Sequence, residues 1–103
     1  MTRSFVLTPS AVRDIDGILA YVLEHGGPGQ ALYVHGALYS GLAKLAAEPS
    51  LFGHIRDDLA DESLRVFAVF SYLIIYRPDT KPVQIIRVIH GARDVPTALE
   101  EDT

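Results

Sequence analysis

Residues 64–89 read LRVFAVFSYLIIYRPDTKPVQIIRVI, and this stretch decides the fold. It is rich in β-branched and aromatic residues, which are typical of strands, and a proline-bounded turn at 78–82 divides its second half. We therefore predict three successive strands, at 64–70, 72–77 and 83–89, paired as an antiparallel meander.

Both faces of these strands are apolar. Counting alternate residues places Val66, Ala68, Phe70, Tyr72, Ile74 and Ile85 on one face, and Phe67, Val69, Leu73, Ile75, Ile86 and Val88 on the other. Two helices can cover only one face. We expect the second face to meet a partner chain, a second copy or the chain's own tail, and we favour a partner over residues 50–63 folding across it.

The first half of the chain predicts a short strand followed by two helices. The strand covers Ser4 to Leu7, after which Thr8 is a suitable helix cap and Pro9 suits a first helical turn. Apolar residues then recur at three- and four-residue steps. The glycine-rich break at 26–29 interrupts this pattern, so we predict a helical hairpin.

Two segments lack a clear period. Residues 50–63 contain a glycine and several acidic residues, which indicates a surface connection. Residues 95–103 are interpreted as a short acidic tail. With the sheet and the hairpin, this predicts a single α+β domain over residues 1–103.

Composition excludes several classes of protein. The 103 residues include no cysteine, and the four histidines show no ligand spacing, so we expect neither a metal nor a cofactor. No stretch reaches the ~18 apolar residues of a membrane helix. Residues 1–8 lack the apolar core of a signal peptide, so we expect a cytoplasmic protein.

The net charge of −4 argues against a nucleic-acid binder, but charge is unevenly distributed. Residues 57–62 carry four acids, residues 63–93 carry five basic groups and one acid, and residues 94–103 carry four acids. The sheet region is therefore basic inside an acidic protein. Its basic side chains either meet an anionic partner or simply solubilise the strands.

Polar residues concentrate near the predicted strand ends: Arg56, Arg65, Tyr72, Tyr76, Arg77, Arg87, His90, Arg93 and Asp94. A histidine beside arginine and tyrosine can perform acid–base chemistry on a phosphodiester. Alternatively, Arg87 only extends its stem across apolar surface, and an Arg93–Asp94 ion pair fixes a turn at Gly91.

In order along the chain, these segments resemble the ParE branch of the ParE/RelE toxins of bacterial type II toxin–antitoxin modules. The resemblance rests on Leu7-Thr8-Pro9-Ser10-Ala11, Glu48-Pro49-Ser50-Leu51-Phe52-Gly53, Leu64-Arg65, Tyr72-Leu73-Ile74-Ile75-Tyr76-Arg77 and Ile86-Arg87-Val88-Ile89-His90-Gly91-Ala92-Arg93-Asp94. It implies a β-α-α-β-β-β fold in which a helical hairpin packs on a small, mainly antiparallel sheet.

The resemblance also implies a function. A ParE-like toxin inhibits DNA gyrase by binding and is neutralised by a ParD-like antitoxin whose C-terminal segment wraps the hairpin and sheet. We predict target contacts at Arg56, Arg65, His90 and Arg93. We predict antitoxin or core contacts at Leu32, Tyr39, Phe67 and Leu73.

Relatives of the RelE branch instead cut ribosome-bound mRNA, and the chain departs from their pattern. Its two lysines, Lys44 and Lys81, lie away from the strand-end cluster, and its tail is acidic. A nuclease that docks on ribosomal RNA is normally strongly basic. We therefore expect no enzymatic activity and no sequence-specific nucleic-acid binding by the chain alone. A RelE-like endonuclease and a non-toxic antitoxin-binding member remain the alternatives, and His54 stands where relatives often have arginine.

Overall fold

The computed structural model describes residues 5–101. Its elements are β1 (Phe5–Leu7), α1 (Pro9–Ala47), β2 (Arg65–Val69), β3 (Tyr72–Arg77), β4 (Val83–His90) and α2 (Val95–Glu100). The predicted order of strand, helices and three strands is confirmed, and α2 is an additional element. The predicted start of the first strand at Ser4 lies outside the described residues.

Helix α1 is the predicted helical hairpin. A straight helix of its 39 residues would be about 58 Å long, whereas the longest dimension of the chain is 37 Å. The reversal occurs at Gly27, the residue of α1 with non-helical angles (φ 87°), and Pro28 begins the second arm. A positive φ is accessible to glycine without steric cost, so one residue makes the break that we predicted over 26–29.

The four strands form one sheet in the order β1-β4-β3-β2. Strand β1 is parallel to β4, and the other two pairs are antiparallel. The predicted meander is therefore confirmed, and the N-terminal strand joins it at the far edge.

The predicted division of side chains between the two faces is wrong in part. Val66 pairs with Ile75, so these two residues share a face. A two-residue turn joins β2 to β3, and it places even-numbered residues of β2 on the same face as odd-numbered residues of β3. A register shift opposite Ile75 and Tyr76 changes the count again in β4, so that Ile85 and Val88 both face α1.

The second face of the sheet is covered by the chain itself. Leu59 and Leu64 from the connection, and Val95 and Ala98 from α2, complete a second buried cluster. Among the covers that we expected, the chain's own tail is confirmed: the region interpreted as an acidic tail contains a short helix whose buried apolar residues occupy this face, so the preference for a partner chain is wrong. The connection that we considered less favoured as a cover contributes as well.

A buried ion pair joins the first helix to the last strand and the last helix. The Arg87 guanidinium donates to both carboxylate oxygens of Asp14, at 2.6 and 2.9 Å, and to the carbonyl of Ala98. The Val88 amide also donates to Asp14 at 3.0 Å. Arg87 is buried, with 7% of its surface exposed. The expectation that Arg87 only extends its stem across apolar surface is wrong, because its guanidinium forms a specific buried ion pair with Asp14.

Replacing Asp14 by Ala should destabilise the fold by about 3 kcal/mol, because it leaves a buried guanidinium without its counter-charge. The free energy of unfolding in urea measures the effect. Asp16→Ala is the matched control, since Asp16 is exposed two residues away on the same helix, and it should change stability by less than about 0.5 kcal/mol. Equal losses in the two variants would contradict the structural role of the pair.

Candidate functional site

The strand directions divide the predicted target contacts between two ends of the sheet. Arg65 begins β2, whereas His90 ends β4 beside Tyr72 at the start of β3. The length of β2 alone, from Arg65 to Val69, separates the two ends by about 13 Å. The residues that we grouped as one strand-end cluster therefore form two clusters.

We call the first cluster the aromatic end. It lies where the tip of the helical hairpin meets the β2–β3 turn, and it contains Tyr21, His25, Tyr33, Phe70, Tyr72 and His90. Three contacts order these rings: Tyr21 stacks on His25 with centroids 4.0 Å apart, Tyr33 stacks on Phe70 at 5.7 Å, and Tyr72 meets His90 edge-on at 5.8 Å. An open cleft of about 370 Å³ lies among the first five of these residues.

His90 is held by the backbone that follows it. The Ala92 amide donates to His90 Nδ1 at 3.1 Å, so in the neutral ring the proton is on Nε2, where it faces away from this bond. The Arg93 amide donates to the His90 carbonyl, and the Gly91 amide donates to Ser71 in the β2–β3 turn. The predicted turn after β4 is confirmed.

The predicted Arg93–Asp94 ion pair is wrong. Arg93 instead pairs with Glu101 beyond the end of α2, while the Asp94 carboxylate accepts the Thr97 hydroxyl at 2.6 Å. Asp94 stands at the N-cap of α2, which explains why a carboxylate is favourable there. The turn is therefore fixed by the helix, an element that we did not predict.

We call the second cluster the loop end, where residues 48–56 pass over the other end of the sheet. The Tyr76 hydroxyl donates to the Pro49 carbonyl at 2.8 Å, and Arg65 donates to the Gly53 carbonyl at 3.4 Å. Gly53 has φ 67°, and a Cβ there would collide with the Tyr76 hydroxyl. His54 exchanges two backbone hydrogen bonds with Val66 on the outer edge of β2.

Four arginines of the basic segment and its flank are paired with the chain's own carboxylates. The pairs are Arg56–Asp58, Arg77–Asp61, Arg87–Asp14 and Arg93–Glu101. The hydrogen bond from Arg56 lowers the pKa of Asp58, and hydrogen bonds from Ser63, followed by Arg77, lower the pKa of Asp61. The alternation of acidic and basic segments therefore produces local neutralisation rather than a cationic patch.

An apolar groove of about 390 Å³ runs between the two arms of α1, on the side away from the sheet. It is lined by Leu19, Ala20, Leu23, Pro28, Ala31, Leu32 and His35. Leu32 is 76% exposed and Leu23 is 51% exposed, so the groove offers apolar side chains to a partner.

Within residues 5–101, no helix is long and apolar enough to cross a membrane, and no group of three histidine or acidic side chains is placed to hold a metal ion.

A model of the family described as the ParE toxin of the type II toxin–antitoxin system parDE matches residues 5–95. The chain belongs to the ParE toxin family. The predicted family and its α+β fold are thereby confirmed.

A solved structure supports the same ParE fold. The chain is similar to one from a structure titled "Chromosomal ParDE TA system from P. aeruginosa", with a TM-score of 0.73 and 19% identity. The match covers 86% of this chain and 96% of that chain. No curated protein matches the sequence.

The predicted antitoxin contacts occupy different environments in this ParE-family chain. Leu32 lies in the groove, and Tyr39 is half-buried against His35 and Phe5. Phe67 packs into the core beneath α1, and Leu73 packs into the cluster on the other face. Leu32 is thus the most accessible of the four, and their part in antitoxin binding stays a prediction.

Sequence reasoning missed four members of the aromatic end, namely Tyr21, His25, Tyr33 and Phe70. A signal was present, because each has an aromatic ring close to a turn: Tyr21, His25 and Tyr33 flank the glycine-rich break, and Phe70 precedes Ser71. We assigned Phe70 to a strand, and its position in a turn became clear only from the pairing of β2 with β3.

The tyrosine at the loop end should make the free energy of unfolding depend on pH in the alkaline range. Burial raises the pKa of Tyr76 above its ordinary value of about 10, an effect that nearby Arg65 partly offsets. Below about pH 10 both states keep the proton; above it the unfolded tyrosine ionises first, so the free energy of unfolding should fall as pH rises. Urea unfolding at about pH 8 and pH 10.5 should show this fall in the wild type.

Tyr76→Phe should remove that part of the pH dependence and cost about 1 kcal/mol at neutral pH, because Pro49 loses its donor. Tyr33→Phe is the control, since Tyr33 is exposed at the other end of the sheet, and it should keep the dependence. An equal fall with pH in wild type and Tyr76→Phe would contradict the assignment.

Proposed function

We propose that this ParE-family chain inhibits DNA gyrase by binding it, and that a cognate ParD-like antitoxin neutralises the chain. The observation that carries the binding mechanism is the internal pairing of the arginines. Phosphate affinity depends on basic groups that exchange counterions for phosphates. Here Arg56, Arg77, Arg87 and Arg93 are each already within an ion pair, and the net charge is −4.

The positions of the residues favour binding over RNA cleavage. The endonuclease alternative uses Arg65, Arg87, His90 and Tyr72 together. Arg87 is buried against Asp14, and Arg65 lies at the end of the sheet opposite to His90 and Tyr72. Side chains that act on one phosphodiester must lie within hydrogen-bond reach of it, so this separation supports a non-enzymatic toxin.

The groove between the arms of α1 suits the antitoxin. An amphipathic segment binds such a groove by inserting apolar side chains spaced along one face. Leu23 and Leu32 are the exposed apolar residues that flank this groove from the two arms. Their exposure would be removed in the complex, which is the physical advantage that we assign to antitoxin binding.

The central test is inhibition of gyrase by the purified chain after removal of the antitoxin. We expect loss of supercoiling by the wild type. Arg93→Ala should weaken inhibition about tenfold while antitoxin affinity stays the same, because Arg93 is exposed at the aromatic end and away from both cores. Supercoiling and antitoxin titrations measure the two effects.

Other outcomes identify the alternatives. Codon-positioned mRNA cuts after induction would indicate the endonuclease instead of a gyrase inhibitor. Normal growth with folded protein accumulating and no antitoxin present would indicate a non-toxic member. If Arg93→Ala lowered antitoxin affinity as well, Arg93 would be a structural residue rather than a target contact.

A second test concerns the groove. Leu32→Glu should weaken antitoxin binding about 100-fold, because it places a carboxylate against the apolar segment that fills the groove. The fold should be unaffected since Leu32 is 76% exposed. Ile55→Glu is the matched control, because Ile55 is an exposed apolar residue in the connection. The antitoxin affinity of this variant should stay within about twofold of the wild type. Equal affinities of Leu32→Glu and wild type would exclude the groove.

A further inference from the structure

The turn between β2 and β3 contains a residue in an unfavourable conformation. Val69 pairs with Tyr72, so Phe70 and Ser71 form a two-residue connection. The favoured turns of this length have a positive φ at their first residue, a position that glycine, asparagine or aspartate normally occupies. Phe70 has φ 54° and is the one non-glycine residue with positive φ among residues 5–101. A Cβ-bearing residue is strained there.

Packing does not account for a phenylalanine at this position. Phe70 is 60% exposed and belongs to neither buried cluster. Its ring stacks on Tyr33, which is itself 62% exposed. Folding alone would be served by glycine in the turn, and no phenyl ring would then be presented to water at this position. Strained residues of this kind concentrate at functional positions, where the strain belongs to the mechanism.

We propose that Phe70 is an anchor residue that inserts into an apolar pocket on the toxin's protein target, and that Tyr33 positions its ring. The inference rests on the proposed function and names the part of the surface that carries it. Exposed aromatic side chains are the common anchors of protein interfaces. Tyr72, next to Ser71 in the same hairpin, connects this anchor to His90 and to the adjoining Arg93, two of the predicted target contacts.

The charges around Phe70 favour a protein over a nucleic acid as the occupant. The cleft beside it is lined by Tyr21, Val22, His25, Gly26, Gln30, Tyr33, Val34, Phe70, Ser71 and Tyr72. This set contains no lysine or arginine, in a chain of net charge −4. Surfaces that stack nucleic-acid bases on aromatic rings combine those rings with a positively charged groove for the backbone. The aromatic end has the rings without that groove.

The anchor is separate from the groove proposed for the antitoxin. Leu32 and Tyr33 are adjacent in α1, but they face different partners. Leu32 lines the groove away from the sheet, whereas Tyr33 contacts Phe70 in the β2–β3 turn. A change at Phe70 should therefore affect target and antitoxin differently. This difference distinguishes an anchor from a residue that only supports the fold.

The experiment compares wild type, Phe70→Gly and Phe70→Tyr in three assays: gyrase supercoiling, antitoxin titration and thermal unfolding. Phe70→Gly should weaken gyrase inhibition at least about tenfold, with antitoxin affinity within about twofold of wild type. Its melting temperature should stay within about 4 °C of wild type or rise, because glycine relieves the strained φ. Phe70→Tyr should retain inhibition, since it keeps the ring.

Leu51→Ala is the control for loss of an exposed apolar side chain. Leu51 is 70% exposed and lies in the loop end, and the variant should inhibit gyrase as the wild type does. The inference on Phe70 is wrong if Phe70→Gly inhibits as well as wild type, or if inhibition, antitoxin affinity and stability fall together.

Two further outcomes separate this inference from the proposed function. If the wild type does not inhibit gyrase, the proposed function is wrong, and the assignment of Phe70 to that target falls with it. If the wild type inhibits gyrase and Phe70→Gly does so equally, only the inference on Phe70 is wrong.

A binding assay with a single-stranded RNA oligomer at physiological salt tests the choice of a protein occupant. If the wild type binds the oligomer and Phe70→Gly does not, that choice is overturned.

Discussion

The carboxylate of Asp14 lies beside the C-terminal part of β4, in the position that a hydrogen-bonding neighbour strand would otherwise occupy. Strand β1 ends at Leu7, so the edge of β4 continues past the strand that pairs with it on that side. Beyond that point, the Thr8 hydroxyl donates a hydrogen bond to the Ile86 carbonyl. The Asp14 carboxylate accepts hydrogen bonds from the Val88 amide and the Arg87 guanidinium. Because Arg87 also reaches Ala98, one buried charge fixes the first helix, the last long strand and the last helix relative to each other. Both ends of the sheet are built on that frame.

The same pairing of opposite charges recurs at the surface, with a different consequence. Arg56–Asp58 and Arg93–Glu101 are exposed enough that water and salt screen them, so they contribute little stability. Their effect is on the electric field outside the protein, because Arg56 and Arg93 are each accompanied by a carboxylate. A sequence with a basic sheet thereby becomes a surface with weak attraction for phosphates, and shape and apolar contact are left to select its partners.

The elements of the fold could be predicted from the sequence, because strand composition, the Thr8-Pro9 cap and the glycine-rich break are local signals. What could not be predicted depends on register and on distant contacts. Val66 and Ile75 share a face only because the β2–β3 turn has two residues, and β4 keeps Ile85 and Val88 on one face only through its register shift. The grouping of Arg65 with His90 failed because proximity to a strand end does not tell which end of the sheet that is. Residues 95–100 form too short a segment for helical periodicity to identify, and their helix depends on the apolar face that they cover.

The two ends of the sheet differ in how well the backbone conformation, the hydrogen bonding and the burial of their residues suit the fold. At the loop end, Gly53 occupies its positive φ without strain, the Tyr76 hydroxyl has a carbonyl partner, and His54 closes the edge of β2. At the aromatic end, phenylalanine occupies the position that suits glycine, and Tyr21, Tyr33 and Phe70 present their rings to water. Natural sequences are consistent with their folds nearly everywhere, and their departures from consistency concentrate where function requires them. The strained backbone of Phe70 therefore supports the proposed contact between the aromatic end and a partner, and the hydrogen bonds of His54 and Tyr76 stabilise the fold at the loop end.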